Sequence, residues 1–267
     1  MSSYRIRASS WGSIFDCAYK WEWETLLGNN SVSGPRALLG SAIHASTAVY
    51  DQSLLDNSEI TIDEAANAFV YALHHPEYDV NWKGGDLRVG EAERIGLTLH
   101  SKYCTDVSPY YNYVSVEMET NPLEIDCGDG ITIILTGTLD RARIWHSAEG
   151  IGISDLKTGV AAVQKGVAKT KGFIAQLGTY ELLYEHSTDK EITAPSEIIG
   201  LKTSGKAEIG TASVHNAKQM LIGTVDSYGL IDYAKEYFKS GMFPPNPQSY
   251  LCSPKYCARW DHCNFHI

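Results

Sequence analysis

The chain has 267 residues, of which 43% are hydrophobic and 20% charged, a composition typical of a soluble globular protein with one large domain. It contains no apolar run long enough to span a membrane, and its N-terminal segment MSSYRIRASSWGS lacks the apolar core of a signal peptide. We therefore expect a cytoplasmic protein. The formal net charge of −10 argues against nucleic-acid binding through bulk positive charge, although a local basic patch with bound cations would still suffice.

Hydrophobic periodicity predicts a helical first part and a mixed second part of the chain. We expect helices over residues 11–28, 41–55, 63–75 and 86–104, the third of them starting at Thr61 or Asp63. After Pro109 the period changes to near two, and we expect strands over 111–120, 123–130, 131–145, 150–156 and 196–203, with helices over 171–187 and 212–241. The proline-rich tail, 242–267, is predicted to be irregular. The order predicts an α/β fold with a single domain, divided into a mainly helical lobe (1–108), a core (109–241) and the tail.

Three charged residues on two neighbouring predicted strands indicate a catalytic centre. Asp140 ends one strand in TGTLDRARIW, and Asp155 and Lys157 end the next in GISDLKTG. Side chains alternate along a strand, so Asp155 and Lys157 share one face. Two converging carboxylates favour a hard divalent cation, which suits phosphodiester hydrolysis with the lysine acting on a bound water. Taken alone, the Asp-x-Lys pair would also fit a surface ion pair.

Two further elements surround this pair and complete a known pattern. Gln176 and Tyr180 in QLGTY are four residues apart on one helix face, and His44 lies in GSAIHAS. Together with Asp140 and DLK, these segments resemble the successive motifs of the PD-(D/E)XK nuclease superfamily, in its RecB-like branch. The resemblance implies a restriction-endonuclease-like mixed sheet flanked by helices, with an N-terminal helical lobe.

The resemblance also implies roles for the motif residues. His44, Asp140, Asp155 and the carbonyl of Leu156 would hold Mg²⁺ or Mn²⁺. Lys157 would position or deprotonate the attacking water, while Gln176 and Tyr180 would steady the DNA backbone and the lysine.

The RecB-like branch often carries a glutamate on the strand before Asp140, and this chain offers two. Glu117 and Glu119 share a face of the predicted strand, so alternation does not choose between them. A solvent-facing position is the simpler expectation for either one.

Four of the six cysteines form a second candidate site. Cys252, Cys257 and Cys263 are spaced C-x4-C-x5-C in the tail, where there is little core for a thiol to pack into, and Cys17 is the natural fourth ligand. The resemblance to RecB-like nucleases, including those of CRISPR adaptation, implies that these four hold a [4Fe-4S] cluster. The usual tail spacing there is C-x2-C-x5-C, and the difference leaves zinc as an alternative, with His262 or His266 as a substitute ligand. Cys104 and Cys127 are predicted to be ordinary buried thiols.

By this resemblance the chain is a Mg²⁺- or Mn²⁺-dependent DNA exonuclease, similar to phage recombination nucleases, that acts on single- or double-stranded ends in a bacterial or phage-infected host cell. A recombination or single-strand-annealing partner would fit that role. Lys165, Lys169 and Lys171 form an acid-free basic segment that would bind DNA or simply form a solvated loop. Two alternatives stay open: a non-catalytic nucleic-acid-binding or assembly subunit, and a structure-specific or restriction-type endonuclease.

Overall fold

A seven-stranded mixed sheet forms the centre of the fold in a computed structural model, which describes residues 2–83, 87–145 and 149–266. The strands of the chain are β1 (Ser2–Arg7), β2 (Asn112–Glu119), β3 (Leu123–Asp126), β4 (Ile131–Thr136), β5 (Thr138–Trp145), β6 (Gly150–Gly159), β7 (Val163–Gln164), β8 (Val167–Ala168), β9 (Ser196–Lys202) and β10 (Glu208–Val214). The large sheet has the order β2-β5-β6-β9-β10-β8-β7. Strand β6 is antiparallel to β5 and parallel to β9, so it lies inside the sheet, as its apolar sequence predicts.

Helices cover both faces of this sheet. They are α1 (Trp11–Asp16), α2 (Ala18–Trp21), α3 (Pro35–Leu55), α4 (Ile62–His74), α5 (Val89–Asp106), α6 (Ile174–Thr188), α7 (Ala217–Ile222) and α8 (Leu230–Ser240). Helices α3, α4 and α5 bury a core against Leu156 and Ile199 on one face, and α6 buries another against Ile153 and Ile198 on the opposite face. The predicted mixed sheet flanked by helices, with an N-terminal helical lobe, is confirmed. No helix in the described part of the chain is long and apolar enough to cross a membrane.

A second sheet of three strands, in the order β1-β4-β3, was not predicted. Strand β1 pairs in parallel with β4, and its buried Ile6 packs in a core with Trp11 and Phe238. The predicted strand over 131–145 is wrong as a single strand, because Gly137 separates β4 in the small sheet from β5 in the large one. At Gly137 a Cβ atom would lie 2.9 Å from Cε1 of Tyr180, so the chain passes between sheets where only glycine fits.

Several predicted helix boundaries also differ from the structure. The helix over 11–28 is broken at Cys17, which has an extended backbone and separates α1 from α2, and a π-helical turn, Glu22–Leu26, follows. Helix α3 begins earlier than predicted because Pro35 occupies its first turn, where its missing N–H costs no hydrogen bond. Thr61 caps α4 through a reciprocal bond with Glu64, as predicted. Residue 86, the predicted start of the fourth helix, lies outside the described residues.

The long final helix predicted over 212–241 is wrong. Its first residues belong to strand β10, which pairs antiparallel with β9. Gly223 has φ +79° and ends α7, and Gly229 precedes the separate helix α8. Apolar residues with helical spacing on either side of this turn made two elements look continuous, although a left-handed glycine ends a helix.

His100 of α5 gives the helical lobe an expected pH dependence. The side chain is buried, and Nε2 donates a hydrogen bond to the carbonyl oxygen of Ile62 at 3.0 Å. Burial lowers the pKa of His100, against the opposing effect of that bond. Because the pKa of His100 is lower in the folded state than in the unfolded chain, its protonation favours unfolding. The free energy of unfolding therefore decreases as the pH falls below about 6.5.

We expect His100→Gln to reduce the decrease in the free energy of unfolding that occurs as the pH is lowered. The free energy of unfolding, measured by urea denaturation in EDTA between about pH 7.5 and 5.5, should fall less steeply in the variant, by up to about 1.4 kcal/mol per pH unit. Parallel curves for the variant and the wild type would show that His100 is not the group responsible.

Candidate active site

Three side chains from three different elements converge beside the centre of the large sheet. His44 comes from α3, Glu117 from β2 and Asp140 from β5, and one ligand atom of each lies within 4.8 Å of the others. Nδ1 of His44 is 3.5 Å from Oδ1 of Asp140. Burial opposes ionisation of Asp140, but His44, Lys157 and Arg141 outweigh it and hold the pKa of this carboxyl below its usual range. A nitrogen and two carboxylates at this spacing fit the donor set of a divalent cation.

The structure distinguishes the two glutamates that the sequence left equivalent. The pairing of β2 with β5 joins Val116 to Arg141 and Met118 to Leu139, which places Glu117 opposite Asp140. Glu117 has φ +44°, a left-handed conformation that is strained for any residue other than glycine. Strain of this kind persists where the surrounding structure imposes it, and functional sites often do so.

A buried arginine holds Glu117 in place. Nη1 of Arg141 donates to Oε1 of Glu117 at 2.9 Å, and the same guanidinium forms a fully buried ion pair with Asp51 of α3. Tyr103 and Ser108 also donate to Asp51, so the buried carboxylate is well satisfied. No sequence pattern indicated this network, because its members are far apart along the chain.

Asp155 lies next to this group on β6 and is almost fully buried, at 1% exposure. Its Oδ1 accepts a hydrogen bond from Nε2 of Gln176 at 3.3 Å. Its Oδ2 is 2.6 Å from Nζ of Lys157 but accepts no well-directed hydrogen bond, although it is buried. Burial, with a smaller effect of Asp140, raises the pKa of Asp155 to about 6, against the pull of Lys157. An under-satisfied buried carboxylate oxygen beside other acids is the environment that a cation would stabilise.

Lys157, Gln176 and Tyr180 lie beside this group, on the strand and helix faces that their spacing predicts. Lys157 shares its strand face with Asp155, and its Nζ lies 5.1 Å from the ring centroid of Phe173. Gln176 donates to the Tyr180 hydroxyl at 3.0 Å as well as to Asp155, so one amide bridges α6 and β6. Burial raises the pKa of Tyr180, and the nearby acids add to this effect.

One detail of the predicted geometry differs, and one contact was not predicted. Asp140 and Asp155 lie within β5 and β6 rather than at strand ends, because β6 continues through Gly159. The Leu156 side chain is buried in the core against α3, as alternation predicts, and the Leu156 N–H donates to Oδ2 of Asp140 at 2.7 Å. The contact seen between Leu156 and an acid is therefore made by its amide.

Comparison with known proteins assigns the family. The sequence profile of the PD-(D/E)XK nuclease superfamily matches residues 8–264, which is nearly the whole chain. The chain belongs to the PD-(D/E)XK nuclease superfamily. The superfamily predicted from the motifs is therefore confirmed.

One solved structure has a fold similar to that of this chain. A crystal structure from Eubacterium rectale, named as a candidate exonuclease, aligns over 93% of this chain and 86% of its own chain with a TM-score of 0.52. The sequence identity is 15%, so the likeness shows a shared fold. A search of curated proteins found no match.

The two glutamates of this nuclease chain provide a matched test of the metal site. We expect Glu117→Gln to weaken Mn²⁺ binding at least about tenfold, a loss typical when a group around a metal site is removed, and Glu119→Gln to leave it unchanged. Isothermal titration with Mn²⁺ measures both. The reverse order of the two variants would place Glu119 at the metal.

The four cysteines predicted as ligands line one cavity. Cys17 contributes from the break between α1 and α2, and Cys252, Cys257 and Cys263 contribute from the tail. All four thiols are free and partly buried. No three of their sulfur atoms lie within 4.8 Å of one another among the described residues. A tetrahedral zinc site with bonds of about 2.3 Å needs sulfurs about 3.8 Å apart, so the four thiols do not already form one.

The tail is fastened to the first helices around this cavity. Asn246 donates to the carbonyl oxygen of Asp16 at 2.9 Å, and Arg259 donates to the carbonyl oxygen of Tyr19 at 2.7 Å. The Arg259 guanidinium also lies 3.2 Å from the ring centroid of Tyr19. The residues that bring the two ends of the chain together are therefore next to the thiols.

The alternative histidine ligands have aromatic partners. The His262 ring packs at a tilt against Trp23 with ring centroids 5.1 Å apart, and His266 stacks on Trp260 at 4.0 Å. Neither histidine joins the thiols in a compact group of metal ligands among the described residues. Cys104 is buried and its pKa is raised by burial, whereas Cys127 is only partly buried.

The lysines predicted to bind DNA lie on the connection from β6 to α6. Lys165 and Gly166 form the tight turn between β7 and β8, both with positive φ. Lys165, Lys169 and Lys171 are exposed. This connection starts shortly after Lys157, so the basic segment follows the candidate active site along the chain.

Proposed function

We propose that the protein is a metal-dependent deoxyribonuclease that hydrolyses phosphodiester bonds at DNA ends. The observation that carries this proposal is the convergence of His44, Glu117 and Asp140 beside the buried Asp155 and its ion-pair partner Lys157. The donor set and the under-satisfied oxygen of Asp155 fit Mg²⁺ or Mn²⁺. When bound, such an ion acidifies a water molecule and offsets charge on the scissile phosphate.

Each residue of the cluster has a definite part in this proposal. His44, Asp140, Asp155 and the Leu156 carbonyl, joined by Glu117, hold the ion. Lys157 would orient the attacking water by donating a hydrogen bond from its ammonium group, which lies 2.6 Å from Asp155; deprotonating the water would instead require the neutral amine. Gln176 keeps the Asp155 carboxylate in one orientation, and Tyr180 supports Gln176.

We assign the protein to the RecB-like branch, as an exonuclease of the kind found in phage recombination or repair. The position of His44 on a helix ahead of the core and the four cysteines at the two chain ends support this branch. Lys165, Lys169 and Lys171 would contact the backbone of the bound strand.

The cysteine cavity is proposed to hold a [4Fe-4S] cluster in this nuclease. Four thiols from the two ends of the chain line it, the number of ligands that such a cluster takes. Lys20 and Arg259 also line the cavity and would offset the negative charge of four thiolates. The cluster would fasten the tail to α1 and α2 and so keep the two chain ends together.

Digestion of defined DNA tests the nuclease proposal. The purified protein is incubated with linear single-stranded, linear double-stranded and closed circular DNA, with Mg²⁺ or Mn²⁺ and then with EDTA. We expect linear DNA to be degraded progressively, circular DNA to survive, and EDTA to stop the reaction. Cleavage of circles would indicate an endonuclease, and intact linear DNA under all conditions would overturn the proposal.

A further inference from the structure

A groove lies where the small sheet meets the large one, on the Tyr180 side of the active site. Its lining combines cationic and hydroxyl side chains from β1, β5, α6 and the segments that follow β1 and β2: Arg5, Arg7, Ser9, Thr120, Thr138 and Tyr180. No role for this groove follows from the family motifs in the sequence, since β1 itself was not predicted.

The two arginines are positioned for a ligand from outside the chain. They alternate with Ile6 on β1, which is buried, so Arg5 and Arg7 share the opposite, exposed face. Within the described residues, neither guanidinium has an ion pair or a hydrogen bond. Arginine presents several donors in a planar fork that matches the oxygens of a phosphate. Two such groups at adjacent positions of one strand face form a small positive site on a chain with a net charge of −10.

Other residues of the groove add hydroxyl groups and one acid. The hydroxyl of Thr120 donates to the carbonyl oxygen of Gly137 at 2.7 Å, which fixes the floor of the groove. Glu119 also lines the groove and pairs with Thr138 across the strands. One carboxylate against two guanidinium groups leaves a net positive charge.

The groove and the candidate metal site share a wall. Tyr180 lines the groove, and its hydroxyl accepts from Gln176, which also donates to Asp155. Thr138 precedes Asp140 by two residues on the same face of β5, a separation of about 7 Å along the strand. A polynucleotide strand bound at the metal site would therefore pass the groove within one or two nucleotides.

We propose that this groove is a phosphate-binding subsite for the nucleic-acid strand that the active site cleaves, with Arg5 and Arg7 as the charged ligands. The proposal rests on the proposed nuclease function. The phosphate is either a terminal group or an internal phosphodiester, since both present the same oxygens. Arg5 and Arg7 are thus positioning residues that fix the register of the strand.

The test compares Arg5→Gln/Arg7→Gln with a control of equal charge change, Arg94→Gln/Lys190→Gln. Arg94 and Lys190 are exposed and lie outside the groove. Binding of a labelled single strand is measured by fluorescence anisotropy in Ca²⁺ at several salt concentrations. The slope of log K against log salt should fall in magnitude by about 0.7 for each phosphate that is no longer neutralised, about 1.4 in all, while the control keeps the wild-type slope. Arg5→Lys/Arg7→Lys should restore the slope.

DNA strands with different end groups identify which phosphate binds in the groove. They also distinguish failure of the subsite proposal from failure of the nuclease proposal. Strands carry either a phosphate or a hydroxyl at each end, and kcat and KM are measured for each. If the KM of the arginine variant exceeds that of the wild type only on strands with a phosphorylated end, the groove binds a terminal phosphate. If its KM is higher on all strands, the groove binds an internal phosphate. If the wild type cleaves DNA and the arginine variant matches the control in slope and KM, the subsite is overturned and the nuclease function stands. If the wild type neither binds nor cleaves DNA, both fall.

Discussion

Asp155→Asn should abolish DNA cleavage while making the metal-free protein more stable. The side chain keeps its shape, but the ligand charge beside Asp140 and Lys157 is lost, and we expect kcat to fall at least about a thousandfold, equivalent to about 4 kcal/mol of transition-state stabilisation. The carboxylate has an under-satisfied oxygen at 1% exposure, so the folded state carries a cost for its charge.

The sign of the stability change follows from the raised pKa. Burial raises the pKa of Asp155 to about 6, above the ordinary 3.8 of an aspartate. The folded protein therefore binds this proton more tightly than the unfolded chain. The ionised carboxylate destabilises the fold, and this destabilisation is absent below about pH 4 and fully present above about pH 6. At pH 7.5 in EDTA the Asn variant should gain up to about 3 kcal/mol, and the gain should vanish toward pH 4.

Thermal and urea unfolding measure the stability change, and single-turnover cleavage of linear DNA measures the activity. Asp226→Asn, an exposed acid in the turn before α8, should change neither. A stable, folded Asp155→Asn protein that cuts as fast as the wild type would remove Asp155 from the mechanism. A destabilised variant would show that the ion pair with Lys157 outweighs the burial cost.

Cys257→Ser should remove the bound cluster and loosen the tail. The three tail cysteines and Cys17 come from the two ends of the chain, so a cluster bound by all four closes a very long loop. Binding free energy of this kind becomes folding free energy, and we expect the variant to lose at least about 3 kcal/mol of stability. Cys127→Ser, at a half-buried thiol outside the cavity, is the matched control and should keep the metal.

Anaerobic preparation allows the metal content to be measured directly. The wild type should be brown and contain iron and sulfide, and Cys257→Ser should be colourless. A colourless wild-type protein that contains stoichiometric zinc would contradict the cluster assignment and identify the site as a zinc site. Full iron content in Cys257→Ser would exclude Cys257 as a ligand.

The sequence by itself determined the parts of the candidate site that depend on local geometry. Alternation along one strand places Asp155 and Lys157 together with Leu156 facing the core, and helical spacing places Gln176 beside Tyr180. These relations hold in any strand or helix, so residue order alone is enough. The four cysteines near the chain ends were recognised as a candidate site for a different reason: thiols in an irregular tail have little core to pack into.

Only the tertiary structure decided which distant residues meet. Glu117 rather than Glu119 joins His44 and Asp140, because strand register and a strained backbone at Glu117 are set by β5 and by Arg141. The split of one apparent strand at Gly137, and the parallel pairing that makes β1 a strand, depend on contacts across most of the chain. Hydrophobic patterns record which side of an element is buried, and they do not record against what it is buried. The groove of Arg5 and Arg7 exists only because those long-range pairings bring β1 beside Tyr180.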